Sequence, residues 1–437
     1  MTASPSAADA ASLAQRRALI HTLQAAGHLR SPRVASALLA VPRELFVPGL
    51  DLAEVYRSTE AIVTKRIDGV GVSSASAPNV VALMLEQLDV QPGQRVLEIG
   101  AGTGYNAALL AHLVGPAGHV ASLDIDEDLV LAAREHLHTA GYDQVEVLTA
   151  DGALGYPAER AVFDRIILTV ASRDIAPAWH AQLARPGGRL VLPLALRGLQ
   201  RSIAFEPADN NNNNNDDNNN DDDHLVSASL QACQFIPLRG LLAAPMLRVS
   251  LGPEGGLSLA LPDETTPLPA EAFANFFREA HSLWPSGVAA SLDDVRDGLH
   301  LWLVAQDPNI YSVWAEPGTR MVPNLFGIPE RVRGSLCAVD ASGVALLGWL
   351  GHHHQAHQAD AELGVTASPG AEAVVAHLID LLRAWEAAGR PRDRDLRIWA
   401  DPVGDRQAHG RADDAAAEAV VVQQRWTRFV LRWLRWN

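Results

Sequence analysis

The sequence predicts an α/β fold: a doubly wound parallel sheet ending in an antiparallel hairpin, followed by a C-terminal α+β domain. Three observations carry this. From Asn79 to Leu196, short strand-like runs alternate with helix-patterned runs, the order that builds a parallel sheet with helices on both faces. The glycine-rich turn Gly100-Ala101-Gly102-Thr103-Gly104 joins one such strand to its helix. Beyond about residue 240 the alternation stops, and nine of the ten tryptophans follow, from Trp284 to Trp436. A chain of 437 residues exceeds what one ordinary core holds, so two domains are expected.

The elements follow in order. Residues 15–45 alternate apolar positions with Arg and end at Pro42 and Pro48, where a helix must stop. This helical prelude occupies 1–78. The helix NVVALMLEQL leads through QPGQ to the strand RVLEIG, then the helix around NAALLAHLV, the strand HVASLDI, the helix EDLVLAAREHLHTAG and the strand QVEVLTA. The strand FDRIILTV, the helix AWHAQLARPGG and the strand RLVLPLAL complete the alternation. RSIAFEPA and LVSASLQACQFIPLRG pair as the hairpin, with Arg239 at the end of its last strand. Between them residues 209–223, mostly Asn and Asp, lack the apolar content to pack and are expected to form a disordered, solvated loop. The first domain is therefore 1–240. In the accessory domain, 241–437, strands are expected at LHLWLVAQ, SLCAVD, VALLGWL and LRIWAD, with a helix at AEAVVAHLIDLLRAWEAAG. Most of its Trp residues are assigned to the core.

Composition narrows the function. A net charge of -16 argues against nucleic acid, which needs a concentrated basic surface. Cys233 and Cys337, the two cysteines, provide neither a disulfide framework nor a metal cluster, as suits a reducing cytoplasm. No basic start followed by an apolar run marks a secretory leader, and no apolar stretch reaches membrane-spanning length. His352, His353, His354 and His357 cluster, but without an accompanying Cys or carboxylate pattern the expected metal content is none. The tail RWTRFVLRWLRW reads either as a basic helical face or as a strand with Thr427, Phe429, Leu431 and Trp433 on one side; a strand completing the second domain is preferred.

Glu98 ends the first strand just before Gly100, Gly102 and Gly104. Glycine lets the backbone turn sharply and lie flush against a flat ligand. The spacing G-x-G-x-G lacks the x-x-G step of a pyrophosphate-binding loop and suits a methionine tail better; a structural turn or variant nucleotide loop stays open on spacing alone. Asp124 ends the next strand, where an acid accepts ribose hydroxyls. Asp151-Gly152 ends the following one, where a carboxylate takes an adenine amine and Gly leaves room for the ring. Singly, each acid reads as a helix cap; together they sit where doubly wound folds bind ligands.

The ordered motifs VPRELFVP, SSASAP, VLEIGAGTGY, ADGALGYP, FDRIILTVAS, LARPGGRLVLPL and FIPLRG make residues 15–240 resemble the protein-L-isoaspartate O-methyltransferase family. The resemblance implies a Rossmann-like class I methyltransferase, S-adenosylmethionine as cofactor and S-adenosylhomocysteine as product, with Ser76 at the family's active-site serine and also beside the cofactor. Ser74-Ala75-Ser76-Ala77-Pro78 stands where the family carries Thr-Ile-Ser-x-Pro, so Ser74 and Ala75 reshape the substrate wall. Arg239 replaces a frequent Thr and is expected either to pair with a substrate carboxylate or to stay a surface Arg. An aspartyl carboxylate, with its ordinary pKa near 3.9, needs no general base. Ser76, just before a helix opened by Pro78, is expected to hold that anion, with a plain helix cap as the alternative.

The residues past 240 resemble a subgroup tied to lanthipeptide-type peptide natural products, on layout and on stretches such as AELGV and LRAWEAAGR. That resemblance implies methylation of an aspartate in a cyclised ribosomal precursor peptide; attack of the next backbone nitrogen then expels methanol, and the succinimide opens to isoaspartate. The second domain would bind that peptide. The alternatives are a repair enzyme acting on isoaspartate in damaged proteins, and a non-catalytic cofactor-binding module.

Overall fold

A computed structural model describes residues 7–158, 162–208, 224–243, 247–251, 257–261, 270–277, 281–315, 334–350, 360–403 and 419–434. The 209–223 run and the His352–His357 cluster lie outside them.

The prelude contains helices Ala7–Ala25 and Pro32–Ala40, the second capped by Ser31, whose hydroxyl accepts from the Arg33 and Val34 amides. It then does what the sequence reading did not anticipate, forming a two-stranded hairpin of β1 (Ile62–Ile67) and β2 (Val70–Ala75). Asp68 and Gly69 turn it with φ of 49° and 79°, the Asp-Gly pair that a tight hairpin turn demands.

The main sheet takes β3 (Arg95–Ile99), β4 (His119–Asp124), β5 (Glu146–Thr149), β6 (Arg165–Leu168), β7 (Arg189–Leu196), β8 (Leu199–Pro207) and β9 (Leu225–Ala232). β5-β4-β3-β6-β7 are parallel, and β7-β8-β9 antiparallel. The expected hairpin forms, but its last strand stops at Ala232. Residues beyond it fold back on the loop after β6, where the Ala171 amide donates to the Ile236 carbonyl at 2.9 Å and the Leu238 amide to the Ala171 carbonyl at 2.8 Å. Arg239 is therefore on a loop at the carboxyl ends of the strands. Pro207 pairs with Leu225 at the end of the sheet opposite the glycine turn.

The second sheet is antiparallel, built from β10 (Leu247–Leu251), β11 (Leu257–Leu261), β12 (Ser282–Ala290), β13 (Ile310–Ala315), β14 (Gly334–Asp340), β15 (Gly343–Trp349) and β16 (Ala361–Ala367) in the order β10-β11-β13-β14-β15-β16-β12. Helix Glu372–Ala387 covers it with Val374, Val375, Leu378, Leu382 and Trp385, an apolar stripe at helical spacing. Trp349 and Trp385 are core, as expected, whereas Trp284 faces solvent on the edge strand.

Two expectations are corrected. LHLWLVAQ is a helix, His300–Gln306, not a strand; the start signal lies upstream, in the reciprocal cap between Ser291 and Asp294. The tail is a strand, but it does not join the second sheet. β17 (Leu396–Pro402), β18 (Val420–Gln423) and β19 (Thr427–Trp433) extend the first in the order β18-β19-β17-β9, putting Thr427, Phe429 and Leu431 in the core. One apolar cluster runs through both sheets. Arg201 of β8 meets Asp393 at 2.6 Å, with side chains 4% and 5% exposed. Among the described residues no helix is long and apolar enough to cross a membrane.

Candidate active site

The carboxyl ends of β3, β4 and β6 open onto a cleft walled by Ser73 and Ser74 of β2, the glycine turn, Asp124, Gly152, Thr169 and Ile236–Arg239. Gly100 turns the chain at φ 101°, its amide donating to the Leu123 carbonyl at 2.8 Å. Gly152 lies so close to Ile99 that a Cβ would stand 2.3 Å from its Cγ2. Asp124 is nearly buried and accepts from the Gly102 amide (2.9 Å) and the Asp126 amide (3.2 Å). Burial pushes its carboxyl up and these two donors pull it back.

A second cavity adjoins the first through Ser74, Gly100, Gly102 and Thr169, and adds Ala75, Ser76, Met84, Tyr105, Asn106 and Phe235. Ser76 is not a helix cap: helix Pro78–Leu88 has Ala77 at its N-cap and no side-chain cap bond.

Of the residues anticipated from sequence, Ser74, Ala75, Ser76, Gly100, Gly102, Asp124, Gly152 and Arg239 line these two spaces. Three do not. Glu98 is fully buried behind the turn, accepting from Asn106 Nδ2 at 2.8 Å and Ser122 Oγ at 2.5 Å; it ties a helix and a strand together. Gly104 caps helix Tyr105–Val114 at φ 87°, where a Cβ would stand 3.2 Å from the Ala133 carbonyl. Asp151 caps the short turn after β5, taking the Ala153 amide at 3.0 Å and the Leu241 amide at 2.7 Å. Arg239 lines the cleft but grips Asp126 with both terminal nitrogens, at 3.1 and 2.6 Å, not a free surface. Lys65 of β1 joins Asp126 at 2.8 Å, so the cations are neutralised by a neighbour that is itself held well below the usual carboxylate range, by Arg239 first.

Sequence reading missed Thr169, whose hydroxyl donates to the Gly100 carbonyl at 2.5 Å, and Trp179, whose buried indole N–H supports the Gly152 carbonyl at 2.7 Å. Both reach the site from elements distant in sequence; Thr169 lies within the quoted FDRIILTVAS, but nothing in that stretch tells that its hydroxyl faces the glycine turn. Among the described residues no group of three or more His, Cys, Asp or Glu is arranged to hold a metal.

Burial pushes the Glu98 carboxyl up from 4.5 to about 7, against the hydrogen bonds of Ser122 and Asn106. A raised folded-state pKa contributes stability that is complete below pH 4.5 and is lost as pH rises through 7. Glu98→Gln keeps the shape and removes the ionisation. Thermal or urea unfolding from pH 4.5 to 8 is therefore expected to move in the variant's favour by about 3 kcal/mol; parallel pH profiles would refute this.

Residues 14–241 match the family model described as protein-L-isoaspartate(D-aspartate) O-methyltransferase. The protein-L-isoaspartate O-methyltransferase of Hyperthermus butylicus is 43% identical over 193 residues, 42% of this chain and 77% of that protein. A solved protein-L-isoaspartate O-methyltransferase is similar at 22% identity and a TM-score of 0.46, over 88% of this chain and 96% of that one. A Plasmodium falciparum protein described in the same terms, and solved with S-adenosyl-L-homocysteine, is similar at 20% identity and a TM-score of 0.42, over 51% of this chain and 98% of that one. With a sheet of class I methyltransferase order and a family match over more than half its length, the chain belongs to the protein-L-isoaspartate(D-aspartate) O-methyltransferase family of S-adenosylmethionine-dependent protein carboxyl methyltransferases.

Proposed function

We propose that the enzyme methylates the free α-carboxylate of isoaspartyl residues in proteins or peptides, with the substrate anion in the Ser76 cavity and the cofactor in the Asp124 cleft. The observation that carries this is the shared wall: Ser74, Gly100, Gly102 and Thr169 border both spaces, so a donor in one and an acceptor in the other lie next to each other. The cleft suits the cofactor by its chemistry, with the Asp124 carboxylate for ribose hydroxyls and bare backbone at Gly100, Gly102 and Gly152 for flat groups. S-adenosylmethionine supplies an activated methyl group there. The carboxylate, ionised at neutral pH, forms the new O–C bond as the S–C bond breaks and its electron pair goes to sulfur; no proton moves. What remains for the protein is alignment and the exclusion of water. Ser76 offers a hydroxyl to the attacking carboxylate.

A second reading is favoured by the region past the family match, which continues the methyltransferase sheet through β17, β19 and β18. In it, residues 241–437 help bind a cyclised ribosomal peptide whose aspartate is methylated and converted through a succinimide to isoaspartate. Incubation with cofactor and either a linear isoaspartyl peptide or an Asp-containing constrained peptide separates the two. A 14-Da gain on the isoaspartyl peptide supports the first; gain on the Asp peptide followed by loss of methanol supports the second. Ser76→Ala is expected to lower kcat by about 10- to 100-fold, the cost of one hydrogen bond to a charged group, with S-adenosylhomocysteine affinity unchanged by calorimetry. Full activity in that variant would remove Ser76 from the reaction.

A further inference from the structure

The buried charge closest to Ser76 comes from the prelude. Arg43 is fully buried. Its Nε donates to the Val55 carbonyl at 3.0 Å, and its Nη2 to the carbonyls of Ala75 at 3.3 Å and Ser76 at 3.0 Å. The guanidinium carbon stands 5.0 Å from the centre of the Tyr105 ring, which lines the second cavity. Among the described residues no carboxylate bonds to Arg43: its neighbour Glu44 is engaged by the Tyr56 hydroxyl. Arg43 Nη1 and the Tyr105 hydroxyl are both buried without a hydrogen-bond partner among the described residues.

A guanidinium keeps its proton in proteins, even here, where burial pushes its pKa down. A buried cation facing only carbonyls and a ring is compensated in part, and an anion brought near completes the compensation. The second cavity is that place. It is bordered by Ser76, whose backbone Arg43 holds, and by Tyr105, whose ring Arg43 faces, with Arg43 itself buried behind that wall. Two tasks therefore meet in one side chain. The planar fork fixes the Ala75–Ser76 carbonyls and so the aim of the serine; the charge biases the cavity toward a carboxylate over its amide.

We propose that Arg43 is the positioning residue of the transfer site, orienting Ser76 through its backbone and supplying the positive charge that the substrate carboxylate neutralises. This rests on assigning the second cavity to the substrate. The test uses the full chain, an isoaspartyl peptide with S-adenosylmethionine for turnover, and S-adenosylhomocysteine for binding. Arg43→Met is expected to raise the peptide KM and lower kcat, each by about tenfold or more, because charge and fork are both lost. Arg43→Lys keeps the charge without the fork. It should return KM to within about threefold of the wild type while kcat stays depressed. S-adenosylhomocysteine affinity should hold in both, since Arg43 does not border the first cleft. Equal effects of Lys and Met, or lost activity with KM unchanged, would overturn the proposal in favour of a plain structural staple. Should Arg43→Met not fold, the wild type still decides. A peptide with isoasparagine in place of the isoaspartate, which keeps the β-linkage and only converts the free carboxylate to its amide, should inhibit at least about tenfold more weakly than the carboxylate binds, and equal affinity overturns the role of Arg43. Wild-type enzyme that binds S-adenosylhomocysteine yet turns over neither peptide class would instead sink the substrate assignment, and this proposal with it.

Discussion

Asp393→Ala is expected to lower the unfolding free energy by about 3–5 kcal/mol, because it strands a buried guanidinium. Arg201 Nε meets Asp393 Oδ2 at 2.6 Å where both side chains are almost sealed from water. The rest of the fork is committed to the carbonyls of Gln200 at 3.1 Å and Arg296 at 2.8 Å, so Arg201 cannot swing out to solvent. Burial pushes the Asp393 carboxyl up to about 6 against the pull of Arg201; desolvation thus consumes much of what attraction provides. It follows that the double variant Arg201→Met with Asp393→Leu should be far closer to the wild type than Asp393→Ala alone. Urea titration of the three proteins checks both statements. A loss under 1 kcal/mol in Asp393→Ala would mean that water reaches the pair.

Gly100→Ala should weaken S-adenosylhomocysteine binding by about 100-fold or more, the scale of a left-handed strain plus a steric conflict of a few kcal/mol. Gly100 holds φ at 101°, and a Cβ there would stand 2.5 Å from Thr169 Oγ1 and 3.2 Å from Val170 Cγ1. Those two residues wall the cleft, so relief of the conflict must move the site. Gly115→Ala is the matched control: φ is 66°, with nothing within 4 Å of the added carbon. Isothermal calorimetry on both separates strain from collision, and equal affinities in the two variants would refute the steric part.

The alternating core was legible because each strand and helix of 79–196 carries its own period and its own turn residues. Asp124 and Gly152 were legible for the related reason that strand ends fix the place of a ligand in such sheets. Glu98 and Asp151 sit at equivalent-looking positions yet point their carboxylates at Ser122, Asn106 and backbone amides; a position in a motif does not tell which way a side chain faces. Arg239 was visible as an oddity, but its partner Asp126 is 113 residues away. Arg43 belonged to a quoted motif and gave no sign of reaching Ser76. The Asp68-Gly69 turn, by contrast, was a local signal that was there to be read. His300–Gln306 was misassigned because a short apolar run has no decisive period, and the path of β17–β19 was invisible since sheet partnership is set by the whole molecule.

That path has a practical side. β9 would be the last strand of the methyltransferase sheet if the chain stopped near Gly240, and its outer row of amides and carbonyls would be free to template another chain. Instead β17 pairs with it at Leu225 and Val226, and Arg397 takes the Ser227 carbonyl at 2.9 Å. A fragment ending at the family boundary is thus expected to expose a sticky margin and self-associate, so the catalytic half is best handled, crystallised and assayed with its own C-terminal strands as the protective hem.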